Sequence, residues 1–205
     1  LKINPTNLSY EMDRRYQDLY AKLPHATVTA IFSDKEKNMW YGSWDRVLYR
    51  YNSLLGQEEI FQQEKDPFSF DNDEIRSFVE DANGRIWMGG RYKGLHIYEK
   101  NNQRFLNYQY NPSLEGTIAD NCVNQVYLDR GGMVWLGTNR GISIYHPAQQ
   151  YFEQNFLPAV KDQNGGKKDI IIYDFYTDDQ DNLWIGTNQG ICIRLANNRF
   201  IYKPV

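Results

Sequence analysis

One motif recurs along the 205-residue chain at nearly constant spacing. Its tryptophans stand 47, 48 and 49 residues apart, at Trp40, Trp87, Trp135 and Trp184. An aspartate lies six positions before each tryptophan, at Asp34, Asp81, Asp129 and Asp178. A glycine lies two positions after each tryptophan, at Gly42, Gly89, Gly137 and Gly186. A period of this length indicates a protein built from copies of one small structural unit, and this constrains the fold more than any other feature.

Each copy of the motif contains four short segments rich in β-branched and aromatic residues. The first begins twelve residues before the tryptophan, at Val28, Ile75, Val123 and Ile172. The second holds the tryptophan, and the third follows a further turn. The fourth is centred on a phenylalanine, at Phe61, Phe105, Phe152 and Phe200. Because Gly, Asn and Asp separate the segments, they are typical of strands joined by tight turns. Four antiparallel strands per period predict a β-propeller blade.

The repeated residues have structural roles that follow from their positions. The aspartate should form the turn between the first two strands, where a Gly or Asn after it supplies positive φ. We expect each repeat tryptophan to be buried between adjacent blades, and the glycine on the same strand face to let the next blade approach. A second glycine closes the next hairpin in three repeats, but the first repeat has Val47 there, so we expect its turn to differ.

Two segments carry a family resemblance. "DRGGMVWLGTNRGISIY", residues 129–145, and "DDQDNLWIGTNQGICI", residues 178–193, resemble the repeat of the two-component regulator propeller family. The linker "YNPSLEGTIADNCV", residues 110–123, resembles the segment that leads into the next blade in that family. This resemblance implies a seven-bladed propeller in the periplasmic sensor region of hybrid two-component histidine kinases. Such regions often respond to glycan breakdown products.

We therefore predict an all-β chain of four complete four-stranded antiparallel blades. They should span about 28–61, 75–108, 123–156 and 172–204, as one β-propeller segment. Residues 3–10 align with later hairpins between third and fourth strands, so residues 1–12 are expected to be a partial blade. Seven blades of this period need roughly 330 residues. The chain is accordingly expected to be a fragment of a seven-bladed propeller.

Two stretches break the rhythm of the repeat. Residues 10–24 place apolar side chains at helical spacing, and both a short helix and an extended outer strand remain open there. Residues 161–169, "KDQNGGKKD", are polar and glycine-rich, which indicates a solvated insertion between the third and fourth complete blades.

Composition and motif content exclude several functions. The net charge of −3 leaves no basic stripe, so we expect no nucleic-acid partner. No run has the apolar length of a membrane span, so we expect no membrane contact within the segment. The acidic stretch at 178–182 lacks the glycine and closing glutamate of a calcium loop, and we predict neither a metal nor a cofactor. The three histidines are scattered, which argues against catalysis.

Function is expected where the blades differ, in the turns between second and third strands. These turns should share a face with the blade-to-blade crossovers and surround the propeller's mouth. The predicted ligand-binding residues there are Trp44, Arg46, Arg91, Tyr92, Lys93, Asn139, Arg140, Asn188 and Gln189, with His25 from a crossover. Aromatic rings and planar polar groups suit sugars, and arginine suits carboxylate or sulfate. We expect an oligosaccharide ligand, and an acidic one fits better than a neutral one.

The predicted function is that of an extracytoplasmic ligand-sensing segment of a sensor histidine kinase, located in the periplasm and without catalysis of its own. Its expected partners are the ligand, the remaining blades and domains of the parent sensor, and further copies that associate through exposed blade faces. A protein-interaction scaffold is the alternative, and it would show an exposed apolar patch. A propeller lyase is a further alternative, and it would need a histidine base beside a metal or second catalyst.

Overall fold

The computed structural model of the chain describes residues 2–3, 10–11, 27–52, 54–147, 150–155, 169–197 and 199–204. Every regular element within these residues is a β-strand. Residues 10–24, where helix and strand remained open, lie outside the described residues except for 10–11. The insertion predicted at 161–169, apart from its last residue, and His25 also lie outside them.

The long strands form four separate four-stranded sheets, in which neighbouring strands follow one another along the chain and run antiparallel. Blade 1 consists of β3 (Val28–Ser33), β4 (Asn38–Ser43), β5 (Leu48–Asn52) and β6 (Gln57–Phe61). Blade 2 consists of β7 (Ile75–Glu80), β8 (Ile86–Gly90), β9 (Leu95–Glu99) and β10 (Arg104–Tyr108). Blade 3 consists of β11 (Val123–Leu128), β12 (Val134–Thr138), β13 (Gly141–His146) and β14 (Tyr151–Asn155). Blade 4 consists of β15 (Ile172–Thr177), β16 (Leu183–Thr187), β17 (Gly190–Arg194) and β18 (Phe200–Pro204). The predicted all-β architecture of four antiparallel blades is confirmed.

A small two-stranded sheet precedes the blades. It pairs β1 (Lys2–Ile3) with β2 (Tyr10–Glu11) in antiparallel register, with Lys2 opposite Glu11. These strands fall within the segment that the sequence predicts as a partial blade.

The first strands of successive blades lie side by side, so the four blades form an arc with these strands as its inner layer. Each carries a β-bulge at its second residue, and the bulged residues are Thr29, Arg76, Asn124 and Tyr173. A bulge redirects a side chain relative to a regular strand. Thr29 Oγ1 donates a 2.6 Å hydrogen bond to the Ile75 carbonyl, and Asn124 Nδ2 donates one of 3.0 Å to the Ile172 carbonyl. The bulges thus connect neighbouring blades at their inner edges.

Three repeat tryptophans fill the spaces between blades. Trp40 and Trp87 are fully buried and Trp135 is 1% exposed. Trp135, for example, packs in one cluster with Ile172 and Phe175 of blade 4. These three residues confirm the predicted position between adjacent sheets.

The glycine after each of these tryptophans permits close contact with the next blade. A Cβ on Gly42 would lie 2.8 Å from Ile75 Cβ, and one on Gly137 would lie 2.6 Å from Ile172 Cγ2. Real Cβ atoms essentially never come within 3.0 Å of another heavy atom, so a side chain at either position would overlap the next blade, and glycine is required. The role predicted for this glycine is confirmed in blades 1 to 3.

The fourth tryptophan is an exception, and its predicted burial is wrong. Trp184 is 38% exposed, because the described residues place no further blade against it. A Cβ on Gly186 would meet only its own blade, with the Asp174 carbonyl oxygen 3.8 Å away. The motif therefore forms a surface against which a further blade can pack, and the tryptophan is buried only where such a blade is present.

The repeat aspartate has a second role that the sequence did not reveal. Its Oδ2 accepts a hydrogen bond from the indole N–H of the tryptophan six residues later, at 3.0, 2.9, 2.9 and 2.8 Å in blades 1 to 4. Hydrogen bonds from Trp184 and Asn182 lower the pKa of Asp178 to about 2. Burial raises the pKa of Asp81, but hydrogen bonds from Trp87 and Arg85 outweigh it, so the pKa lies below its ordinary value.

In the turn between first and second strands, the residue with positive φ is the expected one in blades 2 and 3. In blades 1 and 4 it lies one residue before the expected asparagine. The third residue after the aspartate has positive φ in every blade, at Lys37, Gly84, Gly132 and Asp181. Glycine fills this position in blades 2 and 3 as predicted, but Lys37 and Asp181 adopt it in blades 1 and 4, not the neighbouring asparagines. In the next hairpin Gly94, Gly141 and Gly190 have positive φ, whereas blade 1 uses Arg46, with φ of 66°. The predicted difference of that turn is confirmed.

Candidate ligand-binding rim

The turns between second and third strands are attached to the crossovers that enter each blade. The residue after each second strand donates its backbone N–H to a crossover carbonyl: Trp44 to Thr27, Arg91 to Glu74, Asn139 to Cys122 and Asn188 to Ile171. The donor–acceptor distances run from 2.9 to 3.3 Å. The turns and crossovers therefore lie at one end of the sheets, as predicted. We call residues 44–46, 91–93, 139–140 and 188–189 the rim.

Buried apolar residues fix the crossovers beneath the rim. Phe70 and Ile118 are fully buried and Ile170 is 5% exposed. Phe70 and Ile118 each lie five residues before the start of a first strand. Sequence reasoning missed these residues, although an apolar residue at a fixed distance before two strands was a usable signal.

The turns of blades 1 and 2 meet through an arginine and a tyrosine. The Arg46 guanidinium carbon lies 4.5 Å from the Tyr92 ring centroid, and that of Arg91 lies 5.3 Å from it. Such cation–π contacts hold the side chains of the two turns together. Trp44, two residues before Arg46, exposes 63% of its surface, and Tyr92 exposes 43%. Arg46, Arg91 and Tyr92 of the predicted set are thus brought together, and Trp44 lies in the same turn as Arg46.

Carboxylates on the crossover accompany two of the rim cations. Arg91 Nη1 lies 3.3 Å from both Glu74 carboxylate oxygens, and the Glu74 charge raises the pKa of Arg91. Lys93 Nζ lies 3.5 Å from Asp71 Oδ2. Sequence reasoning did not identify Glu74 or Asp71 as partners. Their charges reduce the positive potential that the cations alone would produce.

A buried Asp–His pair supports the turn that carries Tyr92 and Lys93. The Asp73 carboxylate accepts backbone N–H groups from Tyr92 at 3.0 Å and Lys93 at 2.8 Å. Its Oδ2 lies 3.2 Å from His96 Nε2, and both side chains are fully buried. A Cβ on Gly90 would come within 1.9 Å of the same oxygen, so glycine is required there. Asp73 therefore fixes the conformation of this part of the rim.

The rim continues in blade 3 through amide side chains. Asn139 Oδ1 accepts a 3.0 Å hydrogen bond from Asn124 Nδ2, and Asn124 Oδ1 accepts one of 2.6 Å from Arg76 Nη1. The Arg140 guanidinium carbon lies 5.5 Å from the Tyr110 ring centroid. The bulged residues of two inner strands thus extend the rim toward the inner edge of the arc.

In blade 4 the predicted rim residues bind their own crossover. Asn188 Oδ1 accepts the Ile171 N–H at 3.0 Å, and Gln189 Nε2 donates to the Asp169 carbonyl at 3.3 Å. Both side chains hold the turn and the crossover together.

In the described part of the chain, the histidines and the possible metal ligands do not come together in one group. His96 is the buried partner of Asp73, and His146 lies at the opposite end of its blade, 3.0 Å from Glu153 Oε2. No three His, Cys, Asp or Glu side chains among the described residues are grouped so that they could hold a metal ion. The described segments also include no helix with the length and apolarity to cross a membrane.

The comparison with protein families finds the two component regulator propeller. Its family model matches residues 69–92 and 166–189, which include the motifs around Trp87 and Trp184. These two segments match the two component regulator propeller, and the resemblance inferred from the motif is confirmed. No curated protein matches the sequence.

Several solved structures share the fold. The extracellular domain assigned to a hybrid two component system from B. thetaiotaomicron superposes with a TM-score of 0.62 at 21% identity, over 87% of this chain and 30% of that one. A second such extracellular domain from B. thetaiotaomicron gives 0.59 at 16% identity, over 88% and 28%. A streptogramin B lyase structure gives 0.62 at 13% identity, over 90% and 56%. This chain spans less than a third of either extracellular domain, and at these identities the likeness shows the fold alone.

Proposed function

We propose that this chain is a ligand-sensing segment of the extracytoplasmic, periplasmic propeller of a hybrid two-component sensor histidine kinase. The observation that carries the proposal is the match of residues 69–92 and 166–189 to the two component regulator propeller. Extracellular domains of hybrid two component systems share the fold, which supports the same role here. The segment binds a ligand and has no catalysis of its own.

The ligand is an oligosaccharide released by glycan breakdown, and the rim binds it. Trp44 supports this assignment because a large, exposed indole at a binding surface offers an apolar face on which a sugar ring can stack. Tyr92 of the next turn contacts Arg46, which lies two residues after Trp44. The buried Asp73 fixes the backbone of the neighbouring turn, so that the rim loses little conformational freedom when a ligand binds.

The charges of the rim favour an acidic oligosaccharide. Arg91 and Lys93 already face Glu74 and Asp71. Arg46 and Arg140 instead lie over tyrosine rings, and within the described part of the chain neither forms an ion pair with a carboxylate. A carboxylate or sulfate on the sugar would therefore bind Arg46 and Arg140 through charge-assisted hydrogen bonds.

Calorimetric titration with acidic oligosaccharides and neutral ones of the same length tests the proposal. The variants Trp44→Ala, Arg46→Asn and Arg140→Ala each remove one rim group, and asparagine tolerates the positive φ of position 46. Each should weaken binding of the acidic ligand about tenfold or more, which corresponds to about 1.4 kcal/mol.

Tyr151→Ala is the matched control. Tyr151 is 43% exposed and is the first residue of β14, at the end of blade 3 opposite the rim, so its removal should leave affinity unchanged. Equal binding of acidic and neutral ligands would contradict the charge assignment. Unchanged affinity in all three rim variants would exclude the rim as the site.

A further inference from the structure

Glu74 is a buried carboxylate that faces two arginines of blade 2. It is 5% exposed and directly precedes β7. Its Oε2 lies 3.3 Å from Arg91 Nη1, and its Oε1 lies 3.6 Å from Arg76 Nε. Arg91 belongs to the rim, and Arg76 is the bulged residue at the inner edge of the blade. One carboxylate thus pairs with a guanidinium group of the rim and with another of the inner edge.

The three charged residues are specific to blade 2, which packs between blades 1 and 3. In the other blades uncharged residues take the equivalent positions. They are Thr27, Cys122 and Ile171 in place of Glu74, Trp44, Asn139 and Asn188 in place of Arg91, and Thr29, Asn124 and Tyr173 in place of Arg76. Because those blades form without such charges, the scaffold does not require them. The charges therefore indicate a role of this part of the rim.

Glu74 is held in place through its backbone as well as its side chain. Its carbonyl accepts the Arg91 backbone N–H at 3.0 Å, and its own N–H donates to Asp73 Oδ1 at 2.8 Å. Its side chain is 7% exposed, whereas that of Asp71, the partner of Lys93, is 28% exposed. Asp71 can turn toward water when a ligand approaches. Glu74 should stay beside its arginines, because moving it would break a buried ion pair.

The two arginines remain accessible to a ligand. The side chain of Arg91 is 37% exposed and that of Arg76 is 30% exposed. Guanidinium groups bind carboxylate or sulfate through paired hydrogen bonds, so these two side chains alone would form an anion site. The Glu74 carboxylate already takes that role within the protein. An acidic group of a ligand would therefore meet the negative charge of Glu74 beside the same guanidinium groups, and like charges placed side by side weaken binding.

We propose that Glu74 determines the specificity of the rim by excluding acidic groups of the ligand from blade 2. This inference rests on the proposed function, because it concerns which part of the oligosaccharide blade 2 receives. Acidic groups bind the turns of blades 1 and 3, through Arg46 and Arg140, and a neutral sugar lies over blade 2. The ligand class is therefore an oligosaccharide in which neutral sugars separate the acidic ones. Chains with an acidic group on every sugar are rejected by a repulsive charge.

Titration with inorganic sulfate at constant ionic strength tests the exclusion, with NMR of the arginine side-chain N–H groups as the readout. Glu74→Gln keeps the size of the side chain and removes its charge. Sulfate should then bind beside Arg76 and Arg91 about tenfold or more tightly than in the unchanged chain, because two guanidinium groups lose their carboxylate. Adding Arg91→Gln to this variant should remove the gain. Glu74→Asp keeps the charge and should bind sulfate as weakly as the unchanged chain.

Glu99→Gln is the matched control. Glu99 pairs with Arg104 at 2.7 Å, at the end of blade 2 opposite the rim, so the variant makes the same charge change and also removes the partner of an arginine. It should leave the signals of Arg76 and Arg91 insensitive to sulfate. An equal gain in Glu99→Gln, or a gain that survives Arg91→Gln, would overturn the proposal. Saturable sulfate shifts at Arg91 in the unchanged chain would overturn it even if Glu74→Gln failed to fold.

Calorimetry with two acidic oligosaccharides of equal length extends the test to the ligand. The unchanged chain should prefer the one in which neutral sugars separate the acidic ones, and Glu74→Gln should bind the one with an acidic group on every sugar about tenfold more tightly. No such gain would contradict the assigned specificity. The sulfate titration needs no oligosaccharide, so a chain that binds neither oligosaccharide would contradict the proposed function while the sulfate result still decides whether Glu74 excludes anions.

Discussion

Blades 3 and 4 present the same motif on their outward faces, but with different surroundings. Trp135 is 1% exposed under blade 4, whereas Trp184 is 38% exposed. Both indoles nevertheless donate to their aspartate, at 2.9 and 2.8 Å. The hydrogen bond therefore belongs to the blade itself, and the burial belongs to the contact between blades. A repeat protein of this kind divides its stability between units and interfaces, and the two tryptophans separate these contributions.

The largest expected effect is the difference between two identical truncations. Trp135→Ala should lower the free energy of unfolding by about 3–5 kcal/mol, because it leaves a cavity between blades 3 and 4. Trp184→Ala should cost about half of that or less, because its indole already contacts water. Urea denaturation of the two variants and the unchanged chain measures both losses. Equal losses would show that packing of the next blade against the tryptophan contributes nothing to the free energy of unfolding.

Adding one methyl group to the neighbouring glycine gives a smaller effect. Gly137→Ala should cost about 1–3 kcal/mol, because its Cβ would overlap Ile172 and force the blades apart. Gly186→Ala should change stability by no more than about 0.5 kcal/mol, since the backbone atoms of Asp174 nearest to the added Cβ lie at ordinary contact distance. Thermal unfolding of the two variants checks the comparison. Similar losses of stability in both variants would mean that close contact between two blades does not require glycine.

Acid should affect blades 2 and 4 similarly, although within the described residues only blade 2 has a further blade against its tryptophan, and this is the smallest predicted difference. The pKa of Asp81 and that of Asp178 both lie below their ordinary value, the latter at about 2. Stability from these carboxylates is therefore complete above the unfolded pKa of about 3.9, and is lost as pH falls through the folded value.

Replacing either carboxylate should make the free energy of unfolding depend less on pH in acid. Asp81→Asn and Asp178→Asn should both reduce the loss of stability between about pH 5 and about pH 2, measured by urea titration at each pH. A carboxyl pKa for Asp178 near 4 in an NMR titration would show that its indole bond needs the neighbouring blade.

The repeat predicted the blades because its positions encode local chemistry. The aspartate, tryptophan and glycine act within a blade or at its immediate contact, and their spacing is visible along the chain. The exposure of Trp184 was not predictable, since it depends on a neighbour that the motif does not contain. The rim was located correctly at the end that carries the crossovers. The partners Glu74 and Asp71 were missed because only folding brings the crossover beside Arg91 and Lys93.

Hydrogen exchange of the tryptophan indole N–H groups tests most directly whether the next blade buries the repeat tryptophan. NMR on chain labelled at tryptophan follows all of them in one sample. Slow exchange is expected at Trp40, Trp87 and Trp135, and fast exchange at Trp184 despite its bond to Asp178. Exchange at Trp184 as slow as at Trp135 would contradict this division between blade and neighbour.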